Sequence, residues 1–114
     1  MHEVSIALNI LEVITGQCVR EGYGKIVAVS LKIGRASGIM PDALTFAFDV
    51  VKGESIASGA VLEIEEVPVS GRCNTCSCSF ITEDEYVLAC PECGSESFVI
   101  NTGRELDITD MEVS

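Results

Sequence analysis

Four cysteines carry the strongest chemical signal in the chain. Cys73-Asn74-Thr75-Cys76 is followed, after thirteen residues, by Cys90-Pro91-Glu92-Cys93. A CxxC turn aims two sulfurs at one point, and two such turns supply the four thiolates of a tetrahedral structural zinc site. Turn-forming residues follow each pair, Ser77 after the first and Gly94-Ser95 after the second. The same sulfurs could instead form two disulfides, which need an oxidising compartment. They could also hold iron, whose ligand preferences overlap with those of zinc. An iron-loaded chain would be a small, coloured redox protein, whereas a zinc-loaded one is colourless.

A second set of metal-binding groups stands at Met1-His2-Glu3. A free α-amine, the backbone nitrogen of residue 2 and the His2 imidazole can close consecutive chelate rings on one ion. The Glu3 amide nitrogen or its carboxylate would complete the plane. Nitrogen-rich square-planar sets favour Ni(II) or Cu(II) over Zn(II). The bland alternative is a solvated histidine near a chain end. His2 is the only histidine in the chain, so no other imidazole can serve a nickel or copper site.

Catalysis finds little support. Cys78 lies two residues beyond Cys76 and reads as a non-ligand, with ligand exchange under oxidation or acid as the alternative. Cys18 falls on an apolar helix side and reads as core. Neither has a catalytic partner, and no oxyanion-forming motif accompanies His2. There is no P-loop, so any nucleotide hydrolysis belongs to a partner. The chain reads as a non-enzyme.

Composition narrows the partners. Eighteen acidic against seven basic residues give a formal charge of −11. That opposes binding to nucleic acid phosphates and to anionic membrane surfaces. It suits a protein that meets cations or basic protein surfaces. The run Glu63-Glu65-Glu66 is a solvated strand face or, functionally, a docking surface for such a partner. No basic n-region precedes an apolar segment and no apolar run would span a bilayer, so a cytoplasmic location is expected, where cysteines stay reduced and bind metal.

The elements that must position these groups follow from periodicity. Residues 3–21 place Val4, Ala7, Leu8, Leu11, Ile14, Cys18 and Val19 at helical spacing, and Gly22 ends the helix. From Lys25 to Gly34 the pattern alternates, with Val27, Val29, Leu31 and Ile33 on one side of a half-buried strand. Pro41 suits the first turn of a second helix and Asp42 its positive end. Leu44, Ala47, Phe48 and Val51 are its buried stripe, with Gly53 at its end. A strand is expected over Val61–Val69, with Pro68 at its end or on a sheet edge. Phe98–Thr102 is short and β-prone, and Leu106, Ile108 and Met111 belong to a last strand. That strand must rejoin the first two to bury its apolar side. The expected fold is therefore α+β: a three-stranded mixed sheet with two helices on one face, plus a small four-cysteine, zinc-ribbon-like module. Residues 1–70 with 97–114 form the α/β nickel-binding domain, and residues 71–96 form the zinc-binding domain. An aliphatic core is expected, since 47% of residues are hydrophobic but only 5% aromatic.

Taken together, these motifs resemble the HypA/HybF family of nickel metallochaperones for [NiFe]-hydrogenase maturation. The resemblance rests on Met1-His2-Glu3 before a helix, the two CxxC turns and the closing Gly103-Arg104-Glu105-Leu106. It extends to the strand at 25–34, the Pro41–Phe48 segment, Leu62-Glu63-Ile64-Glu65-Glu66 and Cys90-Pro91-Glu92-Cys93-Gly94-Ser95. It implies transported Ni(II) at the Met1 amine, His2 and the Glu3 region, and structural Zn(II) on Cys73, Cys76, Cys90 and Cys93. It further implies delivery to the hydrogenase large-subunit precursor together with a HypB-type GTPase, and in some relatives service to urease maturation. One departure concerns the loop before the second helix. Several members have an acidic residue there that can join the nickel site, where this chain has Met40, with Asp42 close by. Monomer and homodimer are both compatible with the sequence. The competing reading is a zinc-ribbon protein-interaction module with no transported metal, which gives Met1-His2-Glu3 no role.

Overall fold

The computed structural model describes residues 3–114. Its first element, α1 (Glu3–Glu21), has an acidic residue in the first turn and Arg20 in the last, both favourable to the helix dipole. It ends in a left-handed Gly22 (φ 83°), where Tyr23 N–H bonds Cys18 C=O and Gly22 N–H bonds Val19 C=O. This paired closure satisfies two of the last carbonyls. The buried stripe is Ile6, Ala7, Ile10, Ile14 and Cys18. It is rotated from the expected one: Val4, Leu8 and Val19 are about half exposed or more, and Leu11 is half-buried. Apolar residues cover more than one side of α1, so spacing alone offered two stripes. Packing selects the one built on Ile6, Ile10 and Ile14.

Next comes β1 (Ile26–Gly34), with Val29, Leu31 and Ile33 buried as the alternation predicts. At its start, Ile26 replaces Val27 as the buried residue. The register against the last strand shifts between Ile26 and Ala28, and that irregularity inverts the alternation. The second helix, α2 (Pro41–Val51), has Pro at its first position and buries Leu44, Ala47 and Phe48. Met40 stands before it in an extended conformation (φ −91°, ψ 112°), as a residue preceding proline prefers.

The segment expected as one strand over Val61–Val69 is two. The first, β2 (Val61–Val67), pairs parallel to β1, and the second, β3 (Val69–Cys73), belongs to a different sheet. Pro68 separates them because it has no N–H for a ladder. The remaining strands are β4 (Ser79–Thr82), β5 (Phe98–Thr102) and β6 (Leu106–Val113). The first sheet has the order β2-β1-β6, with β6 antiparallel to β1, so it is mixed as expected. Both helices contribute to the core cluster that covers β1. The second sheet, β4-β3-β5, is antiparallel and carries the cysteines. Gly71 in its central strand has no room for a side chain: a Cβ would lie 2.4 Å from Val99 O.

The two sheets lie end to end. The radius of gyration is 17.4 Å, against about 13 Å for a compact chain of this length. Their junction is tight. Ala36 N–H bonds Gly103 C=O at 2.7 Å, Gly34 N–H bonds Glu105 C=O at 2.9 Å, and Arg35 N–H bonds Val67 C=O at 2.9 Å. The Arg35 side chain pairs by charge with Glu83, Nε to Oε2 at 2.8 Å, and more loosely with Glu66. The Nε–H is not aligned for a hydrogen bond, so the contact with Glu83 is an ion pair only.

Candidate metal centre

Each CxxC pair sits on a turn built the same way. Ser77 N–H bonds Cys73 C=O at 3.1 Å, and Gly94 N–H bonds Cys90 C=O at 2.9 Å. Ser77 (φ 61°) and Gly94 (φ 75°) then turn the chain through the left-handed region. Glycine takes that conformation freely, while serine adopts it only under constraint. Cys73 N–H reaches Cys78 C=O and Cys90 N–H reaches Ser95 C=O, closing both loops. Amides also point at sulfur: Thr75 N–H and Cys76 N–H approach Cys73 Sγ at 3.3 and 3.4 Å. Between the turns, Asn74 N–H bonds Ser97 C=O, and the Thr75 and Ser95 hydroxyls meet at 2.8 Å.

The result is that Cys73, Cys76, Cys90 and Cys93 converge, all four sulfurs lying within 4.8 Å of one another. Cys73 and Cys93 are 3.6 Å apart, and Cys76 and Cys90 are 3.7 Å apart. A tetrahedral ion with sulfur at ~2.3 Å requires sulfurs ~3.8 Å apart. The spacing is far too long for disulfides, which need about 2 Å. Cys73 and Cys90 are buried, Cys76 and Cys93 exposed, so the centre sits at the surface with its inner ligands covered.

Proton affinity follows the same geometry. Hydrogen bonding from Cys76 N–H, opposed by burial and assisted by Thr75 N–H and by Cys93, lowers the Cys73 thiol to about 6. Cys78 N–H favours the Cys76 thiolate, but burial and the neighbouring thiols outweigh it and push Cys76 up to about 12. Ser95 N–H acts on Cys93 in the same way, and Cys73 together with burial overrides it, so Cys93 is also raised. One thiolate therefore forms readily and repels the formation of others. A dication removes that repulsion, and its binding displaces protons.

The structure separates the other cysteines from this centre. The Cys78 thiol points to Ser79 C=O at 3.6 Å, and it is the Cys78 backbone that supports the first turn. Cys18 is fully buried, with its Sγ 3.8 Å from Met111 Sδ, and burial raises its pKa.

At the other candidate site, Met1 and His2 lie outside the described residues. Glu3 opens α1, and its carboxylate accepts the Met40 N–H at 3.2 Å. That contact ties the start of α1 to the residue before α2. Met40 and Asp42 line one cleft there, with Arg35, Glu66 and Glu85. Glu85 comes from the cysteine-bearing sheet's side of the molecule. Its approach to the Met40 loop has no sequence signature, since a contact across more than forty residues leaves no periodicity.

Comparison with known proteins agrees with this geometry. Residues 1–113 match the family model described as "HypA: Hydrogenase/urease nickel incorporation, metallochaperone, hypA". The chain belongs to the HypA family. The hydrogenase maturation factor HypA of Roseiflexus sp. (strain RS-1) is 38% identical over 98% of this chain and 91% of its own length. That of Chlorobium luteolum is 42% identical over 92% and 89%. The solution structure of the Ni metallochaperone HypA from Helicobacter pylori superposes with a TM-score of 0.69 at 25% identity, over 99% of this chain and 97% of that one. Membership makes this a nickel metallochaperone of hydrogenase maturation, with a cysteine cluster compatible with zinc. No described helix is long and apolar enough to cross a membrane.

Proposed function

We propose that the chain binds Ni(II) through the Met1 amine, His2 and Glu3 and releases it to the [NiFe]-hydrogenase large-subunit precursor. A HypB-type GTPase supplies the nucleotide hydrolysis, and urease maturation proteins are a second class of client. Zn(II) rests on Cys73, Cys76, Cys90 and Cys93. The d10 ion suits four thiolates, resists redox chemistry and keeps the module closed. In this reading, residues 1–70 with 97–114 are the nickel domain and 71–96 the zinc domain. Two strands of the zinc domain's sheet, Val69–Cys73 and Phe98–Thr102, carry it slightly past those bounds. The protein acts in the cytoplasm as a monomer or homodimer, without catalysis of its own.

The observation that carries this reading is that the family match begins at residue 1, so Met1-His2-Glu3 falls inside it. The contact between Glu3 and Met40 supports it further. It ties the last of the three residues to Met40, which lines a cleft with Asp42. Amine and neutral imidazole must be unprotonated to bind, so falling pH favours nickel release. The test is calorimetric nickel titration of the untagged, zinc-loaded protein. One Ni(II) per chain is expected, lost in His2→Ala and in a variant extended before Met1. Unchanged binding in both would overturn the site.

A further inference from the structure

The nickel reading gives no role to the outer side of the second sheet. There β4 is an edge strand, paired only with β3. A groove of about 330 Å3 runs between β4 and the segment after it, lined by Phe80, Thr82, Asp84, Tyr86, Leu88 and Pro91 among others. Leu88 and Tyr86 are 85% and 79% exposed, the highest values among the described large apolar side chains. Single exposed apolar residues are ordinary. Two of them beside a groove and an open strand edge mark a place of association.

Charge says what associates. From Val69 to Thr102 the chain carries Glu83, Asp84, Glu85, Glu92 and Glu96, with Arg72 the only Lys or Arg. Four thiolates around a dication add a further net negative charge. Glu83 is engaged by Arg35, while Asp84 stands in the groove wall. A second copy of this chain, with its formal charge of −11, would be repelled.

We propose that this groove docks an extended segment of a partner protein in which aliphatic residues alternate with lysine or arginine, laid along β4 as an added strand. Strand geometry sends alternate side chains to opposite sides. One set then meets Phe80, Tyr86 and Leu88, and the other is held near Asp84 at the groove wall. Backbone pairing with β4 supplies affinity, and the groove supplies selectivity. The surface is independent of nickel and operates whether or not nickel is bound.

The test uses the zinc-loaded full chain and a fluorescein-labelled octapeptide, Lys-Leu-Lys-Val-Lys-Leu-Lys-Val, followed by anisotropy. Saturable binding is expected. The double variant Tyr86→Ser/Leu88→Ser should weaken it by about tenfold or more, as loss of an apolar anchor does. Asp84→Asn should weaken it several-fold and flatten its salt dependence. Methylation of alternate peptide nitrogens should abolish it, and Glu63→Gln/Glu65→Gln on the other sheet should change nothing. Zinc content of one per chain confirms that each variant is folded. The proposal is overturned by any of four results: no saturable binding, wild-type binding by Tyr86→Ser/Leu88→Ser, equal binding of the N-methylated peptide, or equal loss in Glu63→Gln/Glu65→Gln. Sedimentation showing a dimer that Leu88→Ser dissolves would assign the groove to a second copy and overturn it as well.

Discussion

Between Ile6 and Ala60, fifteen buried hydrophobic side chains from α1, β1, α2 and their connecting loops form one core. Between Val69 and Thr102 the buried hydrophobic residues are Val69, Cys73, Phe80 and Cys90, and two of these four belong to the cysteine cluster. The larger lobe is held by area removed from water, while the smaller has four clustered cysteines that could hold an ion. A module with so little apolar core does not offset the chain entropy of ordering it, and under the proposed zinc site a metal would close the gap, as it does in other small domains. The smaller sheet adds an aromatic contact, Phe80 edge-on to Phe98 at 5.9 Å, which alone is a small core.

This contrast can be broken most directly by taking the ion away. Structural zinc contributes on the order of 10 kcal/mol or more to small domains of this kind. Chelation, or Cys90→Ser, should therefore collapse the amide dispersion of residues 69–102 in NMR spectra while the signals of α1 and β1 persist. A single cooperative loss of both sets would refute the division. Because further protons must leave once Cys73 is ionised, chelator resistance should rise with pH and fall towards acid.

The reverse experiment acts on the other lobe. Phe48 is fully buried against α1 and the sheet, and Phe48→Ala should cost about 3–5 kcal/mol in denaturant unfolding. Zinc content should stay at one per chain. Loss of zinc in step with the lobe would show that the two regions fold as one. Gly71→Ala sharpens the comparison inside the module. Its Cβ would meet Val99 O at 2.4 Å and the Phe80 ring at 2.8 Å, so a cost of about 1–3 kcal/mol is expected, visible as faster zinc transfer to a chelator. Arg35→Ala, which removes the ion pair between the lobes, should cost less than about 1 kcal/mol, since Glu83 is largely exposed. Its readout is a wider angular spread of the two lobes in residual dipolar couplings, with both melting midpoints nearly unchanged.

The clustering of the four cysteines was legible in the sequence because they come as two local turns, each closed by hydrogen bonds between residues at most five positions apart. The sheet was legible for a related reason: the alternation from Val29 to Ile33 and the helix from Pro41 to Val51 each carry one clear apolar face. Where two faces competed, the sequence was ambiguous. In α1, Leu8 and Ile10 are equally apolar, and only the packing of α2 and β1 decides that Ile10 is buried and Leu8 half exposed. The break at Pro68 was visible as a proline, but not as a change of sheet, because that depends on which distant strand lies alongside. Neither the ion pair between Arg35 and Glu83 nor the contact between Glu3 and Met40 leaves a local pattern.

The second sheet is inserted between β2 and β6, so the chain must leave the first sheet at Pro68 and return at Glu105 before β6 can pair with β1. Folding of the larger lobe thus waits on closing a long loop, which is a kinetic matter rather than one of final stability. An ion that joins Cys73 to Cys93 bypasses about half of that path. Each halving of a flexible loop lowers the closure cost by about 0.6 kcal/mol. Refolding in the presence of zinc should accordingly bring β6 home about threefold faster than refolding with a chelator. With an ion bound, Cys73, Cys76, Cys90 and Cys93 would thus set the pace at which the other sheet is completed.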